Sequence, residues 1–130
     1  MLEVGLTTLL TSAPALSALI AARIYPIELP TNPTLPAIAY KLVGSQSEAS
    51  FSSPGYQRKR IEFAIHAGSY LQAITVKETL ISVLNRYTGL LSDGSFVSSS
   101  EQITGTDLFI ADDLEYVCTI EFYFGYVAAA

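Results

Sequence analysis

Tryptophan is absent from this chain, and cysteine, methionine and histidine occur once each. Cys118 therefore has no partner for an intrachain disulfide, which excludes a small secreted scaffold held by disulfide staples. A zinc site on His66 and Cys118 would need two further ligands from scattered acids, and no spacing groups them. Charge is scarce too: 15% of the residues are Asp, Glu, Lys or Arg, against an ordinary share of about a quarter. Seven bases against twelve acids leave a net charge of -5. That excludes a protein gripping phosphate backbones with its whole surface. No run approaches the roughly eighteen consecutive apolar residues of a membrane helix. Nor does the N-terminus carry the basic patch and long apolar stretch expected of a signal peptide.

What the chain does have is length for one domain, 1–130, and apolar residues for half of its positions. Val4, Leu6, Leu9 and Leu10 cluster at helical spacing and predict a short helix over 2–12. Ser12 is the expected N-cap of a second helix, with Pro14 early in it and Leu16, Leu19 and Ile20 beneath. Arg23 is expected near its end, opposing the helix dipole, and Pro26 is expected to stop it. Pro26, Pro30, Pro33 and Pro36 then hold the path to extended or turn geometry.

Alternation predicts a strand over 37–43, with Ile38, Tyr40 and Leu42 on one face. Residues 44–55 are polar and read as a long loop or hairpin arm. A second strand over 58–66 places Lys59, Ile61, Phe63 and Ile65 on one side and Arg58, Arg60, Glu62, Ala64 and His66 on the other. Ser69 caps a central helix expected to run to about Tyr87, striped by Ala73, Ile74, Leu80, Ile81, Leu84 and Tyr87. A turn at 92–94 leads to a polar strand over 96–104. The last strand, 115–127, puts Tyr116, Cys118, Ile120, Phe122, Phe124 and Tyr126 on one face. The expected fold is α+β, one antiparallel sheet against a helical layer, in the order αα-β-β-α-β-β.

Catalytic chemistry is hard to assemble from these residues. His66 at a strand end before Gly68 has no marked nucleophile or carboxylate, so a surface or turn role is expected. Cys118 alternates into the apolar face as a small buried hydrophobe. The acids Asp107, Asp112, Asp113 and Glu115 lack the offsets and central glycine of a calcium loop. Two readings stand for them, a solvated turn or an acidic patch that repels a polyanion. For Arg58 and Arg60 the alternatives are a partner-facing or intersubunit salt bridge and a solvated sheet edge. No catalytic residue, cofactor or metal is expected.

Taken in order, the segments LTTLLTSAPALSALIAARIYPIELP, LPAIAYKLV, RKRIEFAIHAGSYLQAITVKETLISVLN and LEYVCTIEFYFGYV resemble the tail completion or tail terminator proteins of long-tailed bacteriophages and prophages. The Arg23-Ile24-Tyr25-Pro26 junction and the Leu35-Pro36-Ala37-Ile38-Ala39-Tyr40 strand carry the likeness best. His66, Ala67 and Gly68 depart from it, standing where that family often has a carboxylate.

The resemblance implies a virion protein made in the host bacterial cytoplasm. It would form a hexameric ring at the head-proximal end of the tail tube, between the tube protein and a head-completion or connector protein. DNA would pass through its bore without specific binding. A head-tail connector or a tail tube subunit is the alternative. On this reading the contacts between subunits or partners are expected at Tyr25, Pro30, Pro33, Phe51, Arg58 and Arg60. Some of Asp107, Asp112, Asp113 and Glu115 are expected to face the channel.

Overall fold

The computed structural model describes residues 2–21, 23–27, 29, 34–47, 56–92, 94–110 and 115–127; for 45–47, 56, 104 and 106–110 it describes the backbone alone. Leucines four apart build the first helix, α1 (Leu2–Ser12), which buries Leu2, Leu6 and Leu10. Pro14 then forces a break, because it has no N–H for α1 to use and disfavours a helical Ala13. Ala13 is extended, and the chain turns 87° into α2 (Pro14–Ile20), which buries Leu16 and Ile20. Ala13, not Ser12, therefore caps α2; Ser12 belongs to α1, where its hydroxyl donates to the Thr8 carbonyl at 2.7 Å.

The second helix also ends earlier than Pro26, at Ile20, with Ala21 in a positive-φ conformation. Arg23 lies beyond that end and ties it down. Its Nη2 donates to the Leu19 carbonyl at 3.3 Å and its Nε to the Pro36 carbonyl at 2.9 Å. Cation and exposed helix carbonyl thus meet as the dipole argument requires.

The sheet has six strands in the order β1-β2-β3-β6-β5-β4. They are β1 (Ile24–Pro26), β2 (Ala37–Ser47), β3 (Tyr56–Ala67), β4 (Gly89–Leu90), β5 (Phe96–Ile110) and β6 (Glu115–Val127). The fold is α+β, but the sheet is mixed, since β1 runs parallel to β2 with Ile24 opposite Ile38. This corrects the expected all-antiparallel sheet: part of the proline-rich crossover is itself an edge strand. Pro26 is tolerated there because an edge position need not donate to a ladder on both sides. The segment read as an arm from Gly44 begins as strand, with Ser47 opposite Gln57; residues 48–55, Phe51 among them, lie outside the described residues, as do Pro30 and Pro33.

Helix α3 (Tyr70–Leu84) starts where the sequence places it. The Ser69 hydroxyl accepts from the Gln72 amide at 3.2 Å, and the Gln72 side chain accepts from the Gly68 amide at 3.2 Å, a reciprocal cap of the N-terminus. It ends three residues short of Tyr87 because β5 captures its terminus. The buried Ser100 hydroxyl donates to the Leu84 carbonyl, and the Arg86 amide donates to the Ser100 carbonyl at 2.7 Å. Val76, absent from the expected stripe, is as buried as Leu80 and Leu84.

All three helices contribute to the core on one face of the sheet. Leu80, Leu84, Ile120 and Phe122 are each 0% exposed, as the periodicities predict. Phe63 meets Phe122 edge-on at 6.0 Å, and Phe122 stacks with Phe124 at 6.0 Å. This aromatic seam on the two central strands anchors the layer. No helix covers the opposite face among the described residues, and Lys41, Arg60, Glu62 and Glu121 lie there.

Candidate functional site

Alternation along β3 and β6 decides what the helix-free face displays. Directly opposed residues share a face, so the register Arg60 opposite Tyr123 and Glu62 opposite Glu121 collects basic, acidic and aromatic groups on one surface. The Arg60 Nη2 donates to Glu121 Oε2 at 2.6 Å, across one diagonal of this lattice. Glu121's hydrogen bond and charge hold the Arg60 proton more firmly than usual. Lys41 on β2 lies 3.6 Å from the Glu62 carboxylate, and the Arg58 guanidinium sits 5.6 Å from the Tyr123 ring centroid.

Beside Tyr123 the surface dips into a groove of about 220 Å³ lined by Arg58, Ser99, Glu101, Ile103 and Tyr123. That volume is below the roughly 300–1,000 Å³ of a small-molecule pocket, and its lining mixes charged, polar and apolar side chains. Arg, Tyr and aliphatic side chains gathered on an open surface fit contact with another macromolecule.

Arg58 and Arg60 share this face and Lys59 points away, as strand alternation predicts. Their place in the sheet differs from expectation. Strand β3 is flanked by β2 and β6, so these arginines stand on an interior strand and not at a sheet edge. Lys59 faces the helices: its Nζ donates to Glu3 Oε1 at 2.7 Å and lies 5.7 Å from the Tyr126 ring centroid. Burial alone would raise the Glu3 carboxyl, but the hydrogen bond and charge of Lys59 outweigh it and hold Glu3 below its ordinary value. Burial likewise works against the Lys59 charge, and Glu3 reverses it. The pair pins the first turn of α1 to β3. Sequence reading missed it because residues 56 apart carry no local signal of contact.

Two of the four acids, Asp107 and Glu115, lie in strands and not in a turn. Strand β5 runs on through Asp107, whose backbone pairs opposite Cys118, because β6 continues alongside it; Asp112 and Asp113 lie outside the described residues. Glu115 begins β6 and is buried, with Oε1 3.0 Å from the His66 Nδ1. His66 lies within β3, as the predicted strand 58–66 has it, and its ring meets a carboxylate that the expected surface or turn role did not include. Cys118 is buried on the helix-covered face, opposite to His66, so thiol and imidazole do not meet. Among the described residues no three His, Cys, Asp or Glu side chains come together as metal ligands. Tyr25 lies half-buried on β1 beside Ala39.

No protein-family model and no curated protein matches the sequence. Eighteen chains of solved structures match the fold. Among them is a chain of the virion of a native gene transfer agent particle, at 12% sequence identity and a TM-score of 0.74, covering 98% of this chain and 95% of that one. Correspondence over nearly both full lengths at that identity establishes a shared fold.

Proposed function

We propose that this chain is a structural virion protein that forms a hexameric ring at the head-proximal end of a tail tube, ends tube polymerisation and joins tail to head. The observation that carries the proposal is the end-to-end correspondence with a chain of a gene transfer agent virion. The sequence order, with its Arg23-Ile24-Tyr25-Pro26 junction and aromatic last strand, supports the finer assignment. The helix-free face, with Arg58 over Tyr123 and the Arg60–Glu121 pair, suits contact between proteins more than turnover of a small molecule.

In this reading the partners are further copies of the chain, the tube protein below and a head-completion protein above. Arg58 and Arg60 face a subunit or head-side partner. Some of Asp107, Asp112 and Asp113 face the bore, where acids repel passing DNA and bases would hold it. Glu115 stands apart from these three, with its carboxylate 3.0 Å from the His66 ring.

Withholding the chain during particle assembly tests the assignment. A terminator's loss leaves tubes of uncontrolled length and heads without tails. Tubes of normal length lying free beside heads would assign the chain to the connector instead, and absence of any tube would make it the tube subunit.

A further inference from the structure

The sheet ends in two open edges, one on each side. On the first, β1 covers β2 only through Tyr40, so residues 41–47 have no outer neighbour among the described residues. On the second, β4 covers Phe96 and Val97, and Arg86 takes the Ser100 carbonyl, which leaves 101–110 of β5 without an outer neighbour among the described residues. Long edges of this kind are templates for pairing, usually blunted by prolines or clustered charge. Neither stretch contains a proline, and each holds one or two charged residues. Each instead exposes aliphatic side chains: Leu42 and Val43 on β2, Ile103 on β5.

The two edges also match. Both strands carry a register shift, at Leu42/Gly44 on one edge and at Gln102/Thr104 on the other. The directions suit antiparallel pairing, since β2 and β6 run one way and β3 and β5 the other.

The backbone pattern identifies the pairing groups. The Ile38 amide and the Tyr40 carbonyl bond outward, to the Arg23 carbonyl and the Ile27 amide. Alternation then turns Leu42 outward, and the register shift passes that role to Ser45 and Ser47. On β5 the outward Ser100 carbonyl sets Gln102 outward by the same rule.

We infer that residues 41–47 of one copy add as an antiparallel strand to 101–110 of a second copy, continuing the six-stranded sheet from subunit to subunit. The contact joins two different surfaces of one chain, so repeated copies close into a ring or extend as a filament. The inference rests on the ring reading only for closure; pairing between copies stands apart from where the ring sits.

Two edge variants test it. Ser45→Pro and Gln102→Pro each remove an outward amide that the subunit's own sheet does not use, so each folds, as circular dichroism and cooperative melting verify. Association of the wild-type chain, followed by sedimentation up to millimolar concentration, weakens about tenfold or more in either variant. Mixing the two variants restores association, but only to a heterodimer, because each retains one intact edge.

Should a variant misfold, Leu42→Lys and Ile103→Lys replace it, each weakening association by setting a charge in place of an exposed aliphatic side chain on one edge. A wild-type chain monomeric at millimolar concentration overturns the inference. So does association that survives all of these substitutions, or loss confined to one edge, which would mean that like edges pair. The terminator reading fails separately, if withholding the chain leaves tube length and tail joining normal.

Discussion

Leu84 sits where α3, β5 and the aromatic seam converge: its side chain is 0% exposed and its carbonyl is held by Ser100. Leu84→Ala should lower unfolding stability by about 2–5 kcal/mol, the transfer term plus the cavity left in a packed core. Urea unfolding followed by circular dichroism measures it. A loss below about 1 kcal/mol would mean that the helix does not press this residue into the core. The same residue shows how much sequence reading reaches at this scale. Leu80 and Leu84 are legible from helical spacing alone, whereas the Ser100 hydroxyl that ends the helix comes from a strand sixteen residues on. Lys59 is a similar case: alternation turns it from Arg58 and Arg60, but only the tertiary fold supplies Glu3.

At the scale of elements, the Glu3–Lys59 pair gives α1 a pH window. Glu3 is held below its ordinary 4.5, so its contribution is complete above that value and lost as pH falls through the folded-state pKa. Lys59 is raised above 10.5; its contribution is complete below that value and lost as pH rises through the folded-state pKa. Glu3→Gln should therefore destabilise the chain at neutral pH. The gap from wild type should close as pH drops below about 4.5. Chemical unfolding of both proteins across that range checks it, and a gap independent of pH would remove the pair from the account.

Elements also differ in what their sequences reveal. Strands β2, β3 and β6 and helices α1 and α3 were legible because each has enough alternating or helical period to identify itself. Strand β1 has three residues including Pro26, and β4 has two including Gly89. Neither carries a period; each exists because a longer neighbour supplies its partner. Strand β5 continues past Thr104 for the same reason, although Gly105 and Asp107 read locally as the approach to a turn. The candidate face was half legible: alternation places Arg58 and Arg60 together, but the strand order that puts them inside the sheet is set by non-local pairing.

Over the whole molecule, one sheet divides the chain into a buried helical side and an open side with charge, aromatics and a groove, bounded by two unequal edges. The open face and the two edges are chemically suited to contact with other molecules. The fold it shares with a chain of a gene transfer agent virion is the ground of the proposed ring. The central claim is a ring that closes once, at one place. Electron cryomicroscopy of assembled particles tests it most directly. The account predicts a single hexameric layer of this chain between the head and the first tube ring. Density for the chain repeated along the tube, or found in a monomeric or dimeric form within the particle, would contradict it.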